Sequence, residues 1–270
     1  MKQAIFVLGF LGAAAAWAQN DRITVPFSDP SRPHILKVEL INGGITVKGY
    51  DGKDAIIESR GGSDDEERHH RTPRGAEGMK RITNTALGLT AEEEDNVLRV
   101  SANPGRNMDL VIQVPVNTSL KLSCINEGDI VVDRISGEIE VNNTNGGVKL
   151  TNVSGSVIAH ALNQNVVAKL DRVTPDKSMA FTSLNGNIDV TLPPDIKARV
   201  KLKTDNGEIY TDFDIKMDSS GSKPVVQDGR QNHGKYRVRV DHAMYGTING
   251  GGPELRFETF NGNVYIRKAK

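Results

Sequence analysis

The chain has 270 residues, enough for one large domain or two small ones around a buried core. Its 34 Lys and Arg balance 34 Asp and Glu, so it lacks the basic excess of a protein that neutralises phosphates, and 5% aromatics argue against the girdles of a membrane barrel. The one cysteine, Cys124, excludes an internal disulfide framework and a Cys-rich metal site, while 27 glycines and a recurring Asn-Gly word point to turns.

In chain order, the first element predicted is a leader. Met1-Lys2-Gln3 is a short positive start, Ala4 to Ala15 is apolar, and Ala16-Trp17-Ala18 fits the small-x-small cleavage rule. Residues 1–18 read as a secretory signal peptide cut before Gln19, because the apolar run is far short of the ~20 residues of a spanning helix. No cysteine follows the cut, so a lipid anchor is not supported, and no later stretch is apolar enough to span a bilayer. The expected product is exported, periplasmic or extracellular. A lone free thiol is tolerable there if it is buried.

The body repeats a word of the form Asn/Ser-Gly-x-Ile/Val-x-apolar. It appears as Asn42-Gly43-Gly44-Ile45-Thr46-Val47, Ser136-Gly137-Glu138-Ile139-Glu140-Val141 and Asn145-Gly146-Gly147-Val148-Lys149-Leu150. It returns at Asn185-Gly186-Asn187-Ile188, Asn206-Gly207-Glu208-Ile209 and Asn261-Gly262-Asn263-Val264. In the centre Ile130, Ile139, Val148, Val157 and Val166 fall nine residues apart. Before each Asn the residues alternate, as in Leu36-Lys37-Val38-Glu39-Leu40 and Leu255-Arg256-Phe257-Glu258-Thr259. The position four back is always large and apolar: Val38, Leu122, Phe181, Leu202, Phe257. Period two with β-branched residues predicts strands with one face in and one out, joined at Asn-Gly corners. No apolar stripe of helical period persists, so almost no helix is expected after the leader.

Two all-β topologies fit. In a β-solenoid, two nine-residue arms make each coil and equivalent side chains stack. In an antiparallel β-sandwich, each Asn-Gly closes a hairpin. The solenoid is preferred, because a fixed period with the same side chain returning builds Asn and Ile/Val ladders that hairpins do not require. Residues 19–270 are read as a single domain. Two segments break the pattern, the charge-dense 60–81 and the Ser/Gly/Asn-rich 218–234, and both are expected to be mobile insertions.

Candidate chemistry is sparse. Asp64, Asp65, Glu66, Glu67, His69 and His70 bring carboxylates beside histidines, but nearby arginines compete with any cation and the run reads as a solvated charge cluster. Calcium along the repeat is not expected, since the third Gly and the Asp of the nonapeptide calcium word are missing. Nucleophile elbows, metalloprotease helices, phosphate loops and dinucleotide fingerprints are absent from the sequence. The outward row Val131, Glu140, Lys149, Ile158, Val167, Asp189 is mixed, unlike the charged row of a polysaccharide-cleaving β-helix. Asp212 and Asp214 could share a strand face at a spacing usable for acid–base work, though surface carboxylates are common. Cys124 continues the inward alternation of Leu120 and Leu122 and reads as a buried thiol. No catalytic, cofactor-binding or metal-ligating residue is assigned.

The words Val114-Pro115-Val116-Asn117, Leu120-Lys121-Leu122-Ser123 and Gly128-Asp129-Ile130-Val131-Val132 resemble the bacterial "putative adhesin" domain family of unknown function. A second pass follows in Leu192-Pro193-Pro194-Asp195, Val200-Lys201-Leu202-Lys203-Thr204 and Asn206-Gly207-Glu208-Ile209. The resemblance spans 35–266 and is similar to the head domains of exported auto-transporter adhesins. It implies a right-handed β-helix-like fold and no enzymatic activity, with no catalytic residues or cofactor to carry over. The expected function is a non-catalytic, adhesin-like binding or structural module at the cell envelope, acting on an envelope or extracellular protein or glycan and not on nucleic acid. The alternatives are a β-helix enzyme acting on extracellular polysaccharide, and self-association by end-to-end stacking, which the charged tail 267–270 would discourage at one end.

Overall fold

A computed structural model describes residues 22–61, 88–104, 107–218, 225–228, 236–239 and 243–270. The leader 1–18, the acidic–histidine cluster and nearly all of the 60–81 insertion lie outside them. Of 218–234, only Asp218 and residues 225–228 are described.

The described residues contain strands and turns and no helix. The strands run β1 (Arg22–Pro26), β2 (Ile35–Asn42), β3 (Ile45–Tyr50), β4 (Asp54–Gly61), β5 (Leu89–Glu94), β6 (Val97–Ala102) and β7 (Met108–Pro115). There follow β8 (Ser119–Asn126), β9 (Ile130–Asp133), β10 (Ser136–Asn143), β11 (Val148–Ala161), β12 (Val166–Val173), β13 (Met179–Ser183), β14 (Ile188–Leu192) and β15 (Ala198–Asn206). The last are β16 (Ile209–Thr211), β17 (Lys216–Met217), β18 (Val225–Asp228), β19 (Tyr236–Arg239), β20 (Met244–Ile248), β21 (Glu254–Asn261) and β22 (Val264–Lys268). β18 and β19 pair antiparallel as a separate ribbon.

The preferred topology is the one found, a β-solenoid. Each coil has a first arm, a corner at the Asn word, and a second arm. First arms stack in parallel register in the order β6, β2, β8, β10, the second half of β11, β13, β21, β15. Second arms stack in parallel as β7, β3, β9, the first half of β11, β12, β14, β22, β16. These first-arm and second-arm sheets face each other across one core. The sandwich alternative fails because successive arms pair in parallel with the coils above and below, and the Asn corners close no hairpin.

Alternation decides what lies inside. Leu36, Val38, Ile45, Val47, Phe181, Phe257, Val264 and their equivalents are buried, and Phe181 stacks on Phe257 with ring centroids 5.5 Å apart. Each large side chain so buried contributes about 1.5–3 kcal/mol. Lys37, Glu39, Lys121 and Arg256 project outward, as the intervening polar residues predict.

Three features correct the sequence reading. First, stack order is not chain order. The β2–β3 coil lies inside the later β6–β7 coil, and the C-terminal β21–β22 coil is intercalated between β13–β14 and β15–β16. The charged tail 267–270 therefore does not form an end of the stack. Second, antiparallel strands cover most of both ends: β5 on β6, β4 and then β1 on β7, and β20 and then β17 on β15. Third, the row Val131, Glu140, Lys149, Ile158, Val167, Asp189 is two rows. Val131, Lys149, Val167 and Asp189 lie side by side on the second-arm sheet, while Glu140 and Ile158 belong to the first-arm sheet. Nine residues make one arm, so true stacking neighbours are a whole coil apart, as in Ser136 on Ser154.

Candidate functional site

At the first corner an Asn stands at the end of each first arm except β6, where the Asn42 amide donates to the Pro104 carbonyl at 2.8 Å. The amide of Asn126 donates to the side-chain oxygen of Asn42 at 3.3 Å, Asn145 to Asn126 at 3.1 Å and Asn163 to Asn145 at 2.9 Å. Asn185 continues to Asn163 at 3.0 Å, Asn261 to Asn185 at 2.7 Å and Asn206 to Asn261 at 2.8 Å. This ladder satisfies one donor and one acceptor per rung and fixes the register of the coils. At five of these seven Asn the residue two before forms an inner series of donors, Leu40 and Ala161 being the apolar exceptions. Asn143 donates to the Gly128 carbonyl at 3.1 Å, Ser183 to Gln164 at 3.0 Å, Thr259 to Gly186 at 2.9 Å and Thr204 to Gly262 at 2.8 Å. Cys124 belongs to it: its thiol donates to the Gly43 carbonyl at 2.9 Å. Burial pushes that thiol up from its ordinary value. The expected buried thiol is thus confirmed, with a role the sequence did not reveal.

The corner glycines serve close approach. A Cβ on Gly146 would overlap the Gly128 carbonyl oxygen, one on Gly186 that of Gln164, and one on Gly207 that of Gly262. None of these three has a left-handed φ, so space rather than backbone conformation demands Gly there.

The outward face of the second-arm sheet is chemically richest at its C-terminal end. Tyr265 and Tyr210 lie on adjacent rungs, stacked at 5.3 Å with planes 9° apart, and Tyr210 is 48% exposed. Arg267 packs over Tyr265 and makes a bidentate pair with Asp189 at 2.7 and 2.9 Å. Asn263 donates to the Tyr265 hydroxyl at 3.1 Å. The Tyr210 hydroxyl donates to Glu208, which raises the phenol's pKa. Asp212 accepts the Lys268 backbone N–H at 3.3 Å. Asp212 and Asp214, paired in the sequence reading, are both exposed and no bond joins them among the described residues; Phe213 between them is buried and its ring lies 5.2 Å below the Lys268 ammonium.

A second feature is a cleft of about 460 Å³ at the opposite corner, formed by turns after β12 and β14 and before β21. Asp171, Arg172, Asp176, Asp195 and Lys197 line it, with Ile196 and Leu255 at its floor. All five charged residues are exposed. No local sequence pattern marks this cleft, because turns from three coils build it. Among the described residues no cluster of His, Cys, Asp and Glu could hold a metal ion, and no helix is long and apolar enough to cross a membrane.

Residues 124–249 match the Toastrack DUF4097 family model. That match bears out the family resemblance over the Gly128 and Leu192 words, while the Val114 and Leu120 words lie before it. It runs from the end of β8 to β20, and the same stack continues on both sides of it. The chain is similar to a crystal structure of a putative cell adhesion protein from Clostridium sporogenes ATCC 15579, at 12% identity and TM-score 0.40, covering 93% of this chain and 100% of that one. It is also similar to one of a putative adhesin from Bacteroides fragilis NCTC 9343, at 13% identity and TM-score 0.30, covering 93% and 98%. No curated protein matches.

Proposed function

We propose that the chain is an exported, non-catalytic recognition module of the bacterial cell envelope. One observation carries this reading: inward and corner positions repeat from coil to coil, while outward positions do not. Along one row of the second-arm sheet the side chains run Glu58, Val111, Thr46, Val131, Lys149, Val167, Asp189, Tyr265, Tyr210. A ladder-bonded scaffold holding a varied rigid face is how repeat proteins recognise partners. The leader read at 1–18 supplies the export. Mass spectrometry of the exported chain is expected to find Gln19 as its first residue; full-length chain retained in the cytoplasm would overturn that part. Binding is tested with the protein after the leader against envelope glycans, surface proteins and whole cells. Saturable binding to one of them is expected, and none at all would remove the reading.

The cleft around Asp171, Asp176 and Asp195 favours a second reading, a polysaccharide-cleaving enzyme. It ranks below the first, because all three carboxylates stand in water, without the low-dielectric setting that lets one carboxyl hold a proton for the other. Release of reducing ends from an extracellular polysaccharide, lost in an Asp171→Asn, Asp176→Asn, Asp195→Asn variant, would reverse that order.

A further inference from the structure

Among the described residues the second-arm sheet has one uncovered end. At its other end β4 and then β1 add antiparallel strands, and the first-arm sheet is extended past β15 by β20 and β17. Among the described residues β16 pairs only with β22. The Glu208 carbonyl accepts the Val264 N–H at 2.9 Å and the Asp212 N–H donates to the Ile266 carbonyl at 3.0 Å. In a parallel ladder successive residues turn their polar groups to opposite sides. The N–H and C=O of Ile209 and Thr211 therefore point away from β22, to the open side.

Beside that edge lies a mainly apolar groove of about 610 Å³, formed by Leu202, Ile209, Phe213, Ile215, Met217 and Met244. Asp214 and Lys216 also line it, opposite charges that leave the balance to Glu208 and Asp212. Met217 and Met244 are 46% and 44% exposed. On the outer side of the same edge Glu208, Tyr210 and Asp212 stand in alternation, with Asp214 beyond. Arg267 is held by Asp189, and Lys268 lies over Phe213. A second copy pairing antiparallel about Tyr210 would set Glu208 against Asp212 of its mate, and like charges directly opposed destabilise a sheet. The charge favours a basic occupant instead.

We propose that the open edge of β16 takes up an extended peptide segment of a partner protein as a further strand, one whose residues alternate apolar and basic. Its backbone pairs with Ile209 and Thr211, its apolar side chains enter the methionine-lined groove, and its basic side chains face Glu208 and Asp212. This names a partner class within the recognition reading above and rests on it.

The test uses the protein after the leader and three synthetic peptides: alternating Val and Lys, the same peptide with alternate backbone nitrogens methylated, and alternating Val and Glu. Calorimetry is expected to show one-to-one saturable binding of the Val/Lys peptide, with about tenfold or greater weakening by methylation or by Glu. The Glu208→Lys, Asp212→Lys protein, altered only at exposed positions, is expected to prefer the Val/Glu peptide. Hydrogen exchange at Ile209 and Thr211 slows on binding. No binding, or binding indifferent to methylation, overturns the proposal, as does sedimentation showing that a second copy covers the edge. If glycans or cells bind and the peptides do not, this inference falls and the recognition reading stands; if nothing binds, both fall.

Discussion

Gly146 is where a single atom decides the packing of two coils. A Cβ there meets the Gly128 carbonyl oxygen, which is backbone and cannot move without separating the rungs. Gly146→Ala is expected to cost about 2–3 kcal/mol. Gly250→Ala, with open space around it but φ of +86°, is expected to cost about 1 kcal/mol. Urea midpoints of the two variants check the contrast; equal losses would contradict it. Cys124→Val keeps the bulk and removes the donor to Gly43, costing about 1–2 kcal/mol, whereas Cys124→Ser keeps a donor. Because burial raises the thiol above its ordinary 9.0, the folded state holds the proton longer than the unfolded chain. That contribution is complete below about pH 9 and is lost as pH climbs toward the folded-state value. Denaturant melts between pH 8 and 11 are expected to show this alkaline loss in the parent and not in Cys124→Ser. Alternation made the inward position of Cys124 legible. Its acceptor was not, since Gly43 is 81 residues away and meets it only through stacking.

Among the strands, those with a coil-like period were legible and those that close the ends were not. β5 ends in three consecutive Glu residues, Glu92 to Glu94, and reads as surface in any fold. Its placement comes from Glu93, whose carboxylate accepts the Ser28 backbone N–H at 3.0 Å, the Ser28 hydroxyl at 2.8 Å and the Asn96 N–H at 2.9 Å. The Ser28 backbone hydrogen bond leads in holding Glu93 below its ordinary carboxylate value of 4.5. A depressed carboxylate stabilises the fold above the unfolded value and loses that contribution as pH falls through the folded one. Amide exchange in β5 is therefore expected to quicken below about pH 4.5 relative to the central coils, and Glu93→Gln to remove that difference. Uniform exchange across all coils would show that the tether does nothing.

For the whole molecule, nearest-neighbour stacking predicts that a coil is a removable unit. Ser136 and Ser154 occupy equivalent positions, and each follows an inward aliphatic residue, Ile135 or Val153. Deleting residues 136–153 joins Ile135 to Ser154 and lets β8 meet the second half of β11 and β9 meet β12. The product is expected to keep its β-sheet circular dichroism, to unfold at lower urea, and to be shorter by about 4.8 Å in small-angle scattering. Loss of the β signal would mean that distant parts of the chain depend on that coil, which a stack does not allow.

By itself the sequence determined the unit: arms of alternating residues, a corner where Asn and Gly recur, and a side of each strand that must face inward. Local stereochemistry and hydrophobic alternation act within one arm, so they can be read along the chain. Only the tertiary structure decided the order of coils at the two ends, which rows stand side by side, and which sheet edge is left open. Those depend on pairings between segments tens of residues apart. Strands that share one period fit one another almost equally well, so the choice among them rests on contacts that no local pattern records.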